Sequence, residues 1–269
     1  MWTCNIYHST SIANYFSDRV SSVYITAIDA SKAFDRINHD TLFHKLHLRK
    51  LPFCFIGVIM NWYGKLYSCV RWNGIFSGIF KVNCGVRQGG ILSPILFNVY
   101  VDDLISLLKK CGLGCHVSST FIGCIMYADD LLLLSPSARS MQTMVDTCCA
   151  FGDSHDIIFN PNKTVCVVDG THRNNAITLY LNNQLIPCVN KFKYLGINFI
   201  AKRTLTVDTA SIKRKFYAAC NSVLVRGKYS SEIVQVELIK SYCLPILVYS
   251  LGALEMNASL IQVVVCLLE

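Results

Sequence analysis

An α+β fold, an antiparallel sheet with helices packed on one side, is predicted by three stretches of this sequence. "VYITAID" (23–29) reads as a strand that ends on an acid. "IGCIMYADDLLLLS" (122–135) reads as strand, tight turn, strand, and "SPILFNVYVDDLISLLKKCG" (93–112) has the apolar spacing of a long helix. Sheet-period and helix-period segments without a regular βαβ alternation give that class.

The elements follow in order. "HDTLFHKLHLRKLP" (39–52) is a short helix, with Asp40 as its N-cap and Pro52 past its end. Ile56, Met60, Tyr63 and Tyr67 recur at helical spacing. "VRWNGIFSGIFKV" (70–82) is a hairpin, because Asn73-Gly74 is a favoured two-residue turn. In the long helix Ser93 caps the start and Pro94 fits the first turn. Leu96, Tyr100, Leu104 and Leu107 or Leu108 form its stripe, Lys109 and Lys110 suit its C-terminal dipole, and Gly112 stops it. A helix runs from about Ser137 to Phe151. Short strands follow at "TVCVVD", "ITLYL" and "KYLGINF", and from about Asp208 the chain is mostly helical.

Composition bounds the class. With 269 residues, 52% apolar and 16% charged, the chain is globular, and its length permits one large domain or two small ones. A mean hydropathy of +0.39 raises a membrane question. No run of about 18 apolar residues answers it, since Ser241–Leu254 contains Pro245 and lies between Lys240 and Glu255. The N-terminus lacks the basic-then-apolar order of a signal peptide. The apolar excess therefore reads as core, or as surface that expects a partner. The 14 cysteines include no CxxC; Cys111, Cys115 and His116 have no second pair, and His44 with His47 lacks a third ligand. A reducing, intracellular setting, nuclear or cytoplasmic and off the membrane, is expected.

Two features point to chemistry. Asp129 and Asp130 stand side by side between apolar runs, where ionised neighbours repel. Either the turn is simply solvated, or a divalent cation holds the pair. Asp29 ends a strand that can lie beside that tip, which would assemble a carboxylate cluster for two ions about 4 Å apart. The second feature is charge, +8 overall. Between Pro187 and Ser231 stand nine Lys or Arg and one acid, Asp208. Phe192, Tyr194, Phe216 and Tyr217 are interleaved with Lys191, Lys193, Lys213, Arg214 and Lys215 among others. A solvated helix face usually mixes signs, so this stripe favours nucleic acid.

In order along the chain, "AIDASKAFDRINHD", "GVRQGGILSPILFNVYVDDL", "YADD", "NPNKT" and "KFKYLGINF" resemble the motifs of reverse transcriptases of LINE-type (non-LTR) retrotransposons. "SYCLPILVYS" is similar to a thumb helix of these elements. The resemblance implies a right-hand polymerase palm followed by a partial helical thumb. Its expected limits are 1–22 for a remnant of the fingers and the helix leading into the palm, 23–200 for the palm, and 201–269 for the thumb. It implies Asp29 and Asp129 as metal-binding catalytic residues, Asp130 as the third carboxylate and a supporting charge, and the Ala30 carbonyl as a further ligand. Phe34 falls where these enzymes carry a steric gate against the 2′-hydroxyl. Arg87, Gln88 and Gly89 shape the nucleotide pocket, the glycine by letting backbone approach closely. Lys163 resembles the lysine that protonates leaving pyrophosphate, and Tyr194, Leu195 and Gly196 resemble the primer grip. Asp35, Asp102 and Asp103 take structural roles by default.

The function so implied is RNA-directed DNA synthesis, with two Mg²⁺ (Mn²⁺ as substitute), an RNA template, a DNA primer and dNTPs. Few residues precede the first strand, so a truncated chain with most of the fingers absent is expected. A catalytically inactive nucleic-acid-binding relic is the alternative, and metal-dependent synthesis separates the two. An intron or retron polymerase shares the palm, but "DASKAFDRINH" and "YCLPILVY" fit it less well. A two-metal nuclease leaves Phe34 and the Arg-Gln-Gly loop without a role.

Overall fold

The computed structural model describes residues 22–170, 177–201 and 205–251. The expectations for 1–21, Lys202, Arg203 and the end of the thumb lie outside the described residues.

β1 (Val23–Ser31) runs into a single 3-10 turn (Ala33–Arg36), then α1 (His39–Leu48) and α2 (Phe53–Gly64). A narrow ribbon follows: β2 (Tyr67–Ser68), β3 (Arg71–Trp72), β4 (Ile75–Phe76) and β5 (Phe80–Lys81). α3 (Ser93–Cys111) leads through β6 (His116–Val117) and β7 (Thr120–Phe121) to the hairpin of β8 (Cys124–Tyr127) and β9 (Asp130–Ser135). Next come α4 (Ala138–Ser154), β10 (Ile158–Phe159), β11 (Val165–Asp169), β12 (Leu179–Leu181) and β13 (Gln184–Ile186). β14 (Lys191–Tyr194), β15 (Ile197–Ala201) and β16 (Leu205–Val207) form a small sheet. α5 (Thr209–Arg226), α6 (Glu232–Leu238), a π-helical turn (Ile239–Cys243) and α7 (Leu244–Leu251) complete the described chain.

The chain divides into two compact units, one of Tyr24–Cys166 with Ala176–Cys188, the other of Met1–Val23, Val167–Asn175 and Val189–Glu269. In the first, the central sheet has the order β10-β1-β9-β8. β1 and β9 are antiparallel from Tyr24↔Ser135 to Asp29↔Asp130. Leu131, Leu132, Leu133 and Leu134 are all buried, so β9 is covered on both faces. Leu131 and Leu133 share a core with Leu96, Phe97, Tyr100 and Leu104 of α3 and with Met141, Met144, Val145 and Cys148 of α4.

The helical stripe of α3 is as the spacing predicts, with Leu108 buried and Leu107 exposed. Both expected N-caps are wrong. Leu92 occupies the cap of α3, and the Ser93 hydroxyl instead donates to the Arg87 carbonyl, tying the preceding loop to the helix. At α1 the cap is Asn38, whose Oδ1 accepts the Thr41 N–H at 3.1 Å, two residues earlier than the expected Asp40 cap. Asn73-Gly74 forms the expected turn, with φ 47 and 82.

α1 is clasped to α3 by two ion pairs of unlike character. Lys45 is buried, its Nζ donating to the Tyr100 carbonyl at 2.6 Å and meeting Asp103 at 2.8 Å. Arg49 meets Asp102 at 2.7 Å on the surface. The structural roles assigned to both aspartates are these. Lys45→Ala should lower stability by about 1–3 kcal/mol, since a buried charged hydrogen bond and its stem packing are lost. Arg49→Ala should cost under about 1 kcal/mol, as exposed pairs do. Urea midpoints test the contrast, and equal losses would contradict it.

Candidate active site

The end of β1 and the tip of the β8–β9 hairpin meet in the first unit. β8 and β9 are joined by the two residues Ala128 and Asp129, with Tyr127↔Asp130 closing the turn. Ala128 has φ 49, a left-handed conformation that a non-glycine residue adopts at a cost of about 1 kcal/mol or more. Strain of this kind persists where the surroundings over-determine a turn, and it collects at functional sites.

The register then decides which acids face each other. Asp29 lies directly opposite Asp130, while Asp129 sits within the turn itself. The Asp29 carbonyl accepts the Asn160 N–H at 2.9 Å on the β10 side. Asp29 and Asp130 are therefore a non-hydrogen-bonded pair, the kind that brings side chains closest. Because carbonyls alternate along a strand, that of Ala30 turns toward the β9 edge. Two like charges directly opposite are unfavourable unless a cation lies between them.

One cation of the chain is already there. Lys163 Nζ is 3.4 Å from Asp29 Oδ2, with side-chain exposures of 65% and 32%. So open a pair is worth about 1 kcal/mol or less, and a stronger counter-charge displaces it readily. The "NPNKT" turn delivers the lysine: Asn160 N–H holds Asp29, Asn160 Oδ1 accepts from Asn162 N, and its carbonyl accepts from Lys163 N, Thr164 N and Thr164 Oγ1. Sequence reasoning missed Asn160 as the anchor, although an Asn-Pro-Asn turn beside a basic residue is a legible signal.

The donors suit a hard divalent cation: carboxylate oxygens and a carbonyl edge. Among the described residues, however, no group of three or more His, Cys, Asp or Glu gathers tightly enough to hold an ion by protein alone. Mg²⁺ fits such a partial set, since it usually keeps waters and takes substrate phosphates beside one or two carboxylates.

A second cluster follows the first strand. Phe34 stands on the 3-10 turn, its ring stacked on Phe97 at 4.6 Å and 19°. The loop ahead of α3 is laced to this turn: Gly85 N donates to Ile37 O and Val86 N to Phe34 O, each at 2.7 Å, and His39 Nε2 lies 2.8 Å from Gly85 O. A Cβ on Gly85 would come within 2.8 Å of the Asp35 backbone, so only glycine lets the two segments close. Gln88 Nε2 donates to Asp35 Oδ1 at 3.0 Å. Asp35 is thus a positioning residue, in keeping with the structural role expected of it. Arg87, Gln88 and Gly89 are exposed. Gly89 is needed for its φ of 79; nothing in the structure lies within 4 Å of where its Cβ would be.

In the second unit, β14 and β15 join through Leu195-Gly196, both at positive φ. The Tyr249 hydroxyl donates to the Leu195 carbonyl at 2.8 Å. Here the expected basic-aromatic stripe needs correction. Phe192, Tyr194 and Phe216 are buried, because strand and helix periods turn them inward, and only Tyr217 is exposed. Lys193, Lys213, Arg214 and Lys215 are exposed. Lys191 is paired with Asp208, whose carboxyl also accepts the Ser211 N–H and caps α5. The Lys191 hydrogen bond, foremost, holds the Asp208 carboxyl below its ordinary value.

Comparison with known proteins gives one consistent answer. The model of a family described as "Reverse transcriptase (RNA-dependent DNA polymerase)" matches residues 3–199. The chain is 31% identical over 189 residues to the Pol polyprotein of the type-2 retrotransposable element R2DM of Drosophila melanogaster, covering 67% of this chain and 18% of that one. It is 25% identical over 233 residues to the RNA-directed DNA polymerase of the mobile element jockey from the same organism, covering 83% and 25%. It thus spans a quarter or less of the length of these two relatives. Apo telomerase from Candida tropicalis superposes with a TM-score of 0.57 at 13% identity, over 99% of this chain and 44% of that one. At that identity the likeness concerns the fold alone, that of a right-hand polymerase.

Proposed function

The chain belongs to the reverse transcriptase family, and from that premise we propose that it carries the polymerase site of a non-LTR retrotransposon enzyme. The reaction is RNA-templated transfer of a nucleotide from a dNTP to a DNA primer: the primer 3′-oxygen bonds to the α-phosphorus and pyrophosphate leaves. The observation that carries this reading is the facing pair Asp29 and Asp130 beside a strained Asp129 turn. Asp29, Asp129 and the Ala30 carbonyl would hold two Mg²⁺, or Mn²⁺ in their place, with Asp130 as supporting charge. When bound, such ions lower the cost of the attacking and departing oxygens' charge.

The chain's own residues do the rest, which in phosphoryl transfer is mostly positioning and electrostatics. Lys163 holds a proton on Nζ beside Asp29, where it can pass to the leaving pyrophosphate. Phe34, braced by Phe97, offers an unyielding ring under the sugar and so excludes a 2′-hydroxyl. Asp35 steadies Gln88, and with Arg87 and Gly89 that loop forms a wall of the nucleotide pocket. Lys193, Lys213, Arg214 and Lys215 meet phosphates. The Leu195-Gly196 turn, flanked by Tyr194 and Lys191, serves as primer grip through its backbone, since Tyr194 and Leu195 are buried. The place of action is inside the cell, where RNA templates are found.

Primer extension on an RNA template tests the reading. Wild-type chain should extend with dNTPs and Mg²⁺, and Asp129→Asn should lower the rate by about a hundredfold or more while keeping RNA binding. Equal synthesis by the variant would overturn the assignment; salt-sensitive binding without any synthesis by wild type would favour the inactive relic. Phe34→Val should lower discrimination between dNTP and NTP by about tenfold or more, measured as a ratio of kcat/KM values. Unchanged discrimination would remove the gate.

A further inference from the structure

The ribbon β2–β5 is built unlike the rest of the first unit. Its strands pair as Tyr67↔Lys81, Ser68↔Phe80, Arg71↔Phe76 and Trp72↔Ile75, and every one of these residues is exposed. Tyr67 is 60% and Phe76 61% exposed. Cross-strand partners share a face, and Tyr67 and Arg71, four apart, return to the same one. Their partners Lys81 and Phe76 are five apart, and the Ser77 N–H to Val70 carbonyl bond places the extra residue at Gly78-Ile79, opposite Cys69. A bulge of that kind takes up the odd residue, so Tyr67, Arg71, Phe76 and Lys81 line one face as two cation–aromatic pairs. The Arg71 guanidinium lies 5.5 Å from the centre of the Phe76 ring. Trp72 and Ile75 belong to the other face.

Charge around the ribbon is one-sided. From residue 41 to residue 101 the chain has seven Lys or Arg and no Asp or Glu; Lys45 and Arg49 are paired with Asp103 and Asp102 of α3, which leaves Lys50, Lys65, Arg71, Lys81 and Arg87. The root of the ribbon is also continuous with the candidate site. Tyr67 and Ser68 line a cleft of about 610 Å³ together with Asp35, Arg87 and Gln88.

We propose that the Tyr67/Arg71/Phe76/Lys81 face is a stacking platform for single-stranded polynucleotide, the stretch of template not yet paired. Exposed rings give each base a π-face to rest on, and the flanking cations neutralise its phosphates. An apolar protein partner would leave Arg71 and Lys81 without a purpose on that face, whereas a polyanion uses both. The identity of the strand as template rests on the polymerase reading; the binding face does not.

The test uses the full chain and fluorescence anisotropy with a labelled single-stranded RNA of mixed sequence, beside a blunt RNA–DNA duplex. Tyr67→Ala/Phe76→Ala should weaken single-strand binding by about 30-fold or more, two stacked bases being lost, and leave duplex binding within about threefold. Arg71→Gln/Lys81→Gln should make the logarithmic salt slope shallower by about 1.4, the contribution of two phosphates on a single strand. Trp72→Ala, on the opposite face, should change little. The platform is overturned if wild type does not bind the single strand. It is overturned equally if the paired variants bind like wild type, if single strand and duplex weaken alike, or if only Trp72→Ala has an effect. Should the binding differences appear without any DNA synthesis, the platform stands and the polymerase reading fails; the reverse pattern separates them the other way.

Discussion

The pairing of Asp29 with Asp130 is the constraint on which the rest of the site depends. Four consecutive leucines in β9 carry no register information of their own, because a shift by one residue would put leucine where leucine was. What fixes the register is the charged end of the strand and the two-residue turn before it. A slip in one direction would draw a carboxylate into a core that cannot solvate it. The buried strand thus pushes its acids to the sheet's end, and the register sets them face to face with the acid of β1.

That placement creates an electrostatic demand that the chain meets only loosely. The Lys163 ammonium answers Asp29 from an exposed turn, and a pair so open to water adds little to stability. For the polymerase role proposed, a counter-ion of the chain's own that yields easily is an advantage, since charged groups would arrive and leave there. Around it the neighbouring parts are held more firmly. Main-chain hydrogen bonds sew the loop before α3 to the turn bearing Phe34, Asp35 holds Gln88, and Ser93 ties the loop to the helix.

The sheet, the long helix, the Asn73-Gly74 hairpin and the carboxylates were legible because each depends on local period or local turn chemistry. The caps were not, since Ser93 and Asp40 have good capping side chains and only tertiary contacts decide which residue stands at the cap. The basic-aromatic stripe was misread for a related reason. Alternation along β14 turns Phe192 and Tyr194 inward while Lys191 and Lys193 face out, so neighbours in sequence end on opposite faces. Asn160 as the anchor of Asp29, and Gln88 as the partner of Asp35, are not legible in the sequence, because holding another residue is a role that a spacing does not reveal. The ribbon's aromatics follow ordinary hairpin patterning, and their exposure is a tertiary property that no local pattern encodes.

Uptake of Mn²⁺ by the whole chain with a 3′-deoxy primer on an RNA template and a dNTP present, in excess of uptake by the nucleic acid and nucleotide alone, followed by the loss of the free ion's electron paramagnetic resonance signal, tests the facing carboxylates most directly. Saturable uptake by wild type that disappears in Asp29→Asn is the result predicted. Uptake that survives Asp29→Asn unchanged, or no uptake by wild type, would contradict the claim that these acids face each other to hold a cation.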